Sequence, residues 1–301
     1  MRKTVAILLA LLLALPLTAL AGETQTVTDG LGREVTIAGT PERLVSLTPA
    51  NTEILFALGL GDKIVGVDSQ SDYPAGALDI ANKVGDYSGP NVELIASLES
   101  DVVFAGNTLQ AETIDQLTSL GITVVCNEPT SYAGIVPGIE LIAQVCGVDA
   151  SALIDQMAAE EQAALESASA AAGARVYFAL SFGEYGNWTA AKGTFIDDMI
   201  TMLGAVNVAA GAGYSWPEYS MEQLLSDDPD LIIVSDYALD GSIQAQLSAT
   251  DGYSELGCVK AGNVYALDAN SSSRPGPRIT QALNDMAEIL SAYAASAQDA
   301  A

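Results

Sequence analysis

The spacing of apolar and polar positions divides the chain into a lead segment and two similar series. Val5–Leu15 is an unbroken apolar run. Beyond it, short apolar stretches of strand length alternate with stretches of helical period. Residues 44–47, 64–67, 101–105 and 122–125 read as strands, and 52–58, 91–98 and 112–120 as helices. Gly59 and Gly121 close the first and last of these helices, the usual place for a left-handed residue. The order then recurs. Residues 175–180, 230–234 and 262–266 read as strands, and 195–203 and 221–225 as helices. Ahead of both series, the Gly-punctuated segment 28–33 reads as a hairpin turn. Strands alternating with helices predict an α/β protein with mostly parallel sheets, here as two Rossmann-like lobes.

Between the series lies 149–172, rich in Ala, Glu and Gln and free of Gly and Pro. It predicts one helix of roughly 36 Å joining the lobes. The expected partition is therefore a leader (1–21), an N-terminal lobe (22–148), the interlobe helix (149–172) and a C-terminal lobe (173–301). A helix is stiffer than a loop hinge, so the cleft should be largely formed before a ligand arrives. One element of the repeat is exact in spacing. Asn91 stands two residues before Glu93 and Ser220 two before Glu222, and a strand-starting Asp, Asp101 or Asp230, follows each Glu by eight. Asn and Ser suit helix N-caps, and a first-turn Glu suits the positive end of the helix dipole. Capping alone is a sufficient reason for that pattern.

Composition narrows the function. Arg2 and Lys3 precede the apolar run, Pro16 breaks it, and Ala19-Leu20-Ala21 offers small residues for cleavage. These are the parts of a cleaved secretory signal, with an uncleaved anchor as the alternative. No cysteine lies near the cleavage point, so a periplasmic protein without a lipid anchor is expected. The full chain carries 11 Lys and Arg against 38 Asp and Glu, a formal charge of −27. Such a polyanion is a poor partner for nucleic acid or an anionic membrane surface. Histidine is absent, which removes His-dependent triads and His-ligated zinc or haem. Cys126, Cys146 and Cys258 form no C-x-x-C; the first two could pair, or all three could be small buried hydrophobes. The carboxylate pairs Asp197-Asp198 and Asp227-Asp228 read as solvated faces of an acidic chain. The sequence contains no nucleophile elbow, P-loop or dinucleotide fingerprint. Binding, without catalysis, cofactor or resident metal, is the expectation.

Open parallel sheets hold ligands beyond the carboxyl ends of their strands. Aromatic residues cluster in loops there: Tyr73 and Tyr87 in the first series, Phe182, Tyr185, Trp188, Tyr214 and Trp216 in the second. Amphipathic rings of this kind serve ligand walls as readily as packing. Arg274 and Arg278 flank Pro275-Gly276-Pro277 before the last helix. Arg274 could hold an amide, carboxylate or phosphate, whereas Arg278 reads as a surface or helix-capping charge.

Several strings together resemble a known family. They are Pro41–Pro49 with Thr52–Leu55, Gly66–Pro74, Trp216-Pro217 with Ser220-x-Glu222-Gln223-x-Leu225, and Arg274-x-x-Pro277-Arg278-Ile279. From about Pro41 onward the chain resembles the ABC-transporter solute-binding proteins for vitamin B12 and ferric siderophores, the corrinoid binders above all. The resemblance implies a monomeric, bilobal receptor bridged by one helix, delivering ligand to a permease and its ATPase. It implies cobalamin or a related corrinoid as ligand, with a ferric siderophore or haem as the alternative. It also places Tyr87, Trp188, Trp216 and Arg274 at the ligand, with Gln70 at a position where an aromatic occurs; with the loop aromatics Tyr73 and Phe182 these are the expected ligand residues. Glu93 and Glu222 match the two surface carboxylates that meet permease arginines. Gln70, Gly106 and Ser271-Ser272 replace bulkier residues, so part of the expected aromatic wall is missing.

Overall fold

The computed structural model describes residues 24–168 and 172–299. The leader expected at 1–21 lies outside the described residues. The chain opens with a hairpin, β1 (Thr24–Thr28) and β2 (Glu34–Ala38), paired antiparallel. Asp29 shapes its turn by accepting from the backbone N–H of Leu31 and Arg33 and from the Arg33 guanidinium. Gly30 is required there because a Cβ would lie 2.9 Å from the carbonyl oxygen of Cys126.

The first series follows as β3 (Leu44–Ser46), α1 (Pro49–Ala57), β4 (Ile64–Val67), α2 (Val92–Ser97), β5 (Val102–Ala105), α3 (Ala111–Ser119), β6 (Val124–Cys126) and α4 (Ile135–Cys146). Its four strands are parallel, in the order β4-β3-β5-β6. Every residue of β3 and β5 is buried, as expected where helices cover both faces of a parallel sheet. After α5 (Ser151–Ser167) come β7 (Arg175–Ala179), α6 (Phe195–Met202), β8 (Val206–Asn207), α7 (Met221–Asp227), β9 (Leu231–Asp236), α8 (Ile243–Ala249), α9 (Gly257–Ala261), β10 (Val264–Asp268), α10 (Ala269–Ser272) and α11 (Ile279–Asp299). The second sheet is also parallel, ordered β10-β9-β7-β8. The α/β class with two parallel sheets is as the sequence predicts.

The spacing repeat has a structural counterpart in both halves. Asn91 Oδ1 accepts from Leu94 N at 3.0 Å, and Ser220 Oγ accepts from Gln223 N at 3.1 Å, so each is a true N-cap. Asp101 accepts from the backbone N–H of Arg43, and Asp230 from that of Arg175. The same two arginines reach the last carbonyls of the preceding helix: Arg43 to Leu98 and Glu99, Arg175 to Asp227. Both helices leave through a left-handed non-glycine residue, Glu99 and Asp228. One Arg and one Asp thus pin helix end to strand start in each half.

Five elements were not anticipated: α4, β8 and the short helices α8, α9 and α10. The segment holding α4 contains Pro137 and Gly138, which look like breakers. Pro137 falls in the first turn, where a missing N–H costs nothing, and Gly138 lets the helix press on the Asn127 side chain. Strand β8 has only two residues, too few for a periodicity signal. Helix α5 spans 17 residues with Ala168 as its C-cap, while 169–171 of the expected interlobe helix lie outside the described residues. Helix α5 is not a lone strut, because α11 runs along it. Asn284 Nδ2 donates to the Glu160 carbonyl and Ser291 Oγ to that of Ser167. A single apolar cluster includes Leu44 and Phe104 of the first half, Met157 of α5, Phe178 and Ile233 of the second half, and Leu283 and Leu290 of α11. The three cysteines are buried and unpaired, so the buried-hydrophobe reading holds over the Cys126–Cys146 pair. Burial pushes the Cys126 and Cys146 thiols up to about 12.

Candidate functional site

A cavity of about 670 Å³ lies where the carboxyl ends of the two sheets meet. Thr48 to Ala50 follow β3, Gln70 and Asp72 follow β4, Asn107 and Leu109 follow β5, and Glu128 to Thr130 follow β6. From the second half, Leu180 follows β7, Trp216 lies in the loop after β8, Tyr237 follows β9, and Asn270, Ser273 and Arg274 follow β10. Phe195 and Ile196, at the start of α6, complete that wall. Each of the eight sheet strands therefore sends residues to one opening.

Of the residues expected at the ligand, Gln70, Tyr87, Trp216 and Arg274 line this cavity. The Tyr87 hydroxyl donates to Glu128, and burial with that neighbouring carboxylate drives its pKa well above the usual phenol range. Trp216 stands edge-to-face against Phe195, with ring centroids 5.8 Å apart. Three expected residues lie elsewhere. Tyr73 faces a second cavity of about 660 Å³ between α1, α5 and α11. Phe182 packs edge-on against Tyr253 in the core of the second half. Trp188 is 43% exposed and does not line the cavity. Its backbone holds it there, since its carbonyl accepts from Leu180 N and it forms an isolated bridge to Glu218.

Arg274 and Arg278 have a use the sequence did not suggest. Glu53 of α1 is nearly fully buried. Its carboxylate accepts from Arg278 Nε at 2.8 Å and Nη2 at 2.6 Å, and from Arg274 Nη1 at 3.1 Å. Arg274 also donates to Asp72 at 2.6 Å and to Asn270 at 2.7 Å. The Arg278 guanidinium stacks over the Tyr73 ring at 4.0 Å. Arg278 is thus no surface or capping charge. Burial works against the charge of both guanidinium groups, but their carboxylate partners outweigh it and raise both pKa values. The result is a clasp between the halves, set between the two cavities.

Glu128, Tyr237, Phe195 and Leu109 line the cavity and were missed. Glu128 and Tyr237 stand just after β6 and β9, so applying the carboxyl-end rule to every strand would have found both. Burial raises the Glu128 pKa, while hydrogen bonds from Tyr87 and from the Asn107 N–H oppose it without cancelling it.

Glu93 and Glu222 occupy the first turns of α2 and α7, both exposed. Each helix is joined by a short loop to the amino end of the next strand, so its first turn lies toward the carboxyl end of its sheet, the side of the cavity. Neither Glu makes an ion pair among the described residues. Among those residues, no cluster of three or more Cys, Asp or Glu could hold a metal ion.

The sequence profile of the periplasmic binding proteins matches residues 44–271. The chain belongs to the periplasmic binding protein family. This periplasmic binding protein is 33% identical over 274 residues to the uncharacterized ABC transporter substrate-binding lipoprotein YvrC of Bacillus subtilis, covering 88% of this chain and 85% of that one. It is 32% identical over 271 residues to a cobalamin-binding protein of Halobacterium salinarum, covering 86% of this chain and 72% of that one. Among solved structures, the apo periplasmic heme-binding protein RhuT of Roseiflexus superposes with a TM-score of 0.73 at 29% identity, covering 85% of this periplasmic binding protein and all of RhuT.

Proposed function

We propose that this chain is the substrate-binding component of an ABC importer and that it captures a corrinoid, cobalamin first, between its two halves. The observation that carries the reading is the character of the cavity. Its walls combine Tyr87 and Leu109 from one half with Phe195, Trp216 and Tyr237 from the other, which suits a bulky, flat ligand. Arg274 is the only cation among the lining residues, and Glu53, Asp72 and Asn270 already occupy it. A ligand edged with neutral amides fits such walls better than one edged with carboxylates or catecholates. The name of the Halobacterium relative supports the same choice.

Haem or a ferric siderophore is the second reading. It is favoured by the likeness to RhuT and by Tyr237, 73% exposed at the cavity, whose phenol has no hydrogen-bond partner among the described residues. In either case the chain carries its ligand unchanged, and ATP is hydrolysed by separate subunits. The proposed division remains a leader at 1–21, lobes at 22–148 and 173–301, and a connecting helix between them. The leader directs a monomer to the periplasm. Glu93 and Glu222 are the proposed contacts to the permease.

Fluorescence titration with cyanocobalamin and with hemin separates the two ligands. Cyanocobalamin should quench the wild-type protein with one equivalent. Trp216→Phe should lose most of the quenching, whereas Trp188→Phe should keep it. Saturation by hemin with no response to cyanocobalamin would replace the corrinoid reading with the haem one.

A further inference from the structure

Glu128 is held more tightly than a wall residue needs to be. The Tyr87 hydroxyl lies 2.8 Å from both carboxylate oxygens, and the Asn107 backbone N–H donates to Oε2 at 2.7 Å. Gly106 makes this possible, because a Cβ there would sit 2.8 Å from Glu128 Oε2 and 3.2 Å from the Tyr87 ring. The carboxylate is thereby fixed in one orientation at the cavity wall, and no cation is paired with it among the described residues. A carboxylate offers about four lone-pair sites, so these oxygens keep room for further donors from the cavity side.

We infer that Glu128 is a specificity-determining acceptor, selecting ligands that present N–H donors to this wall and rejecting ligands that present a carboxylate there. The inference rests on the cavity being the ligand site. A ligand amide would meet a preformed, charge-assisted acceptor at no cost in ordering the protein. A ligand carboxylate would meet a like charge with no free cation nearby, which is selection by repulsion as well as by attraction. Tyr87 acts through Glu128 as a positioning residue: its hydroxyl is spent on the carboxylate, leaving its ring as wall.

The test compares cyanocobalamin with its b-, d- and e-monocarboxylic acids, in each of which one peripheral amide has become a carboxylate. Binding is followed by fluorescence at neutral pH in the wild type and in Glu128→Gln. The wild type should bind at least one of the acids about tenfold or more weaker than the parent, about 1.4 kcal/mol. In Glu128→Gln, which keeps the shape and one acceptor but loses the charge, the parent should bind a few-fold weaker and that gap should close to within about threefold. Equal binding of all three acids and the parent by the wild type would overturn the inference without any variant. So would a gap that persists in a folded Glu128→Gln. Hemin and its dimethyl ester form a parallel arm. If cyanocobalamin fails to bind at all, the corrinoid reading falls, and the Glu128 inference stands or falls on whether the ester outbinds hemin in the wild type and loses that advantage in Glu128→Gln.

Discussion

Glu53→Ala should destabilise the protein by about 3–5 kcal/mol, the usual cost of removing one partner from a buried ion pair. The Glu53 side chain is only 2% exposed, and the side chains of Arg274 and Arg278 are 11% and 15% exposed. Without Glu53, Arg274 keeps Asp72 and Asn270. Arg278 keeps only a 3.4 Å contact to the Asn270 carbonyl and its stacking on Tyr73. A charge would be stranded inside the molecule. Because Glu53 comes from the first half and both arginines from the second, the loss should also loosen the two halves relative to each other. Urea unfolding measures the first effect as a lower midpoint. Small-angle scattering measures the second as a broader distribution of interatomic distances. Glu53→Gln, which retains one acceptor, should cost less. A loss below about 1 kcal/mol for Glu53→Ala, the range of an exposed pair, would mean the clasp is ornamental.

The second large effect is on delivery and leaves the ligand site untouched. The double variant Glu93→Ala/Glu222→Ala should retain ligand affinity within about twofold, since neither residue lines the cavity. Its association with the cognate permease should weaken by on the order of a hundredfold or more, because each Glu would pair with a permease Arg in a desolvated contact worth several kcal/mol on truncation. Two carboxylates on a rigid body also fix an orientation that one cannot. Ligand-stimulated ATPase activity of the reconstituted transporter reads this directly. Asp155→Ala/Glu166→Ala, which removes two exposed acids from α5, controls for net charge. Undiminished stimulation by the double variant would remove the docking role and leave the repeat as helix capping alone. Loss of ligand binding with permease association intact would assign these residues to the wrong task.

The sequence makes the scaffold legible because its signals are local. Buried strands appear as short apolar runs, and Asn91, Ser220 and the helix-ending glycines mark boundaries within a few residues of where they fall. The Arg43–Asp101 and Arg175–Asp230 pins explain why the strand-starting Asp recurs at all: it closes each helix-to-strand turn. The site is less legible because it is assembled from distant parts. Glu53 meets Arg274 and Arg278 across 221 and 225 residues, and no local pattern announces that partnership. Tyr73 and Trp188 look like ligand aromatics because they sit in polar loops. Yet Tyr73 is turned to the Arg278 guanidinium, and Trp188 is held by a bridge to Glu218. Phe182 shows the reverse case, a loop aromatic recruited into the core by Tyr253. Loop composition marks where rings gather; which of them face the cavity depends on backbone pairing that only the folded chain reveals.

The identity of the cargo is tested most directly by the absorption spectrum of the protein isolated from its native host. A red preparation with corrin bands, at about one corrinoid per chain and lost on replacing Trp216 with alanine, is the expected result. A haem Soret band or a ferric-catecholate band in its place would contradict the corrinoid assignment and give the same cavity a different tenant.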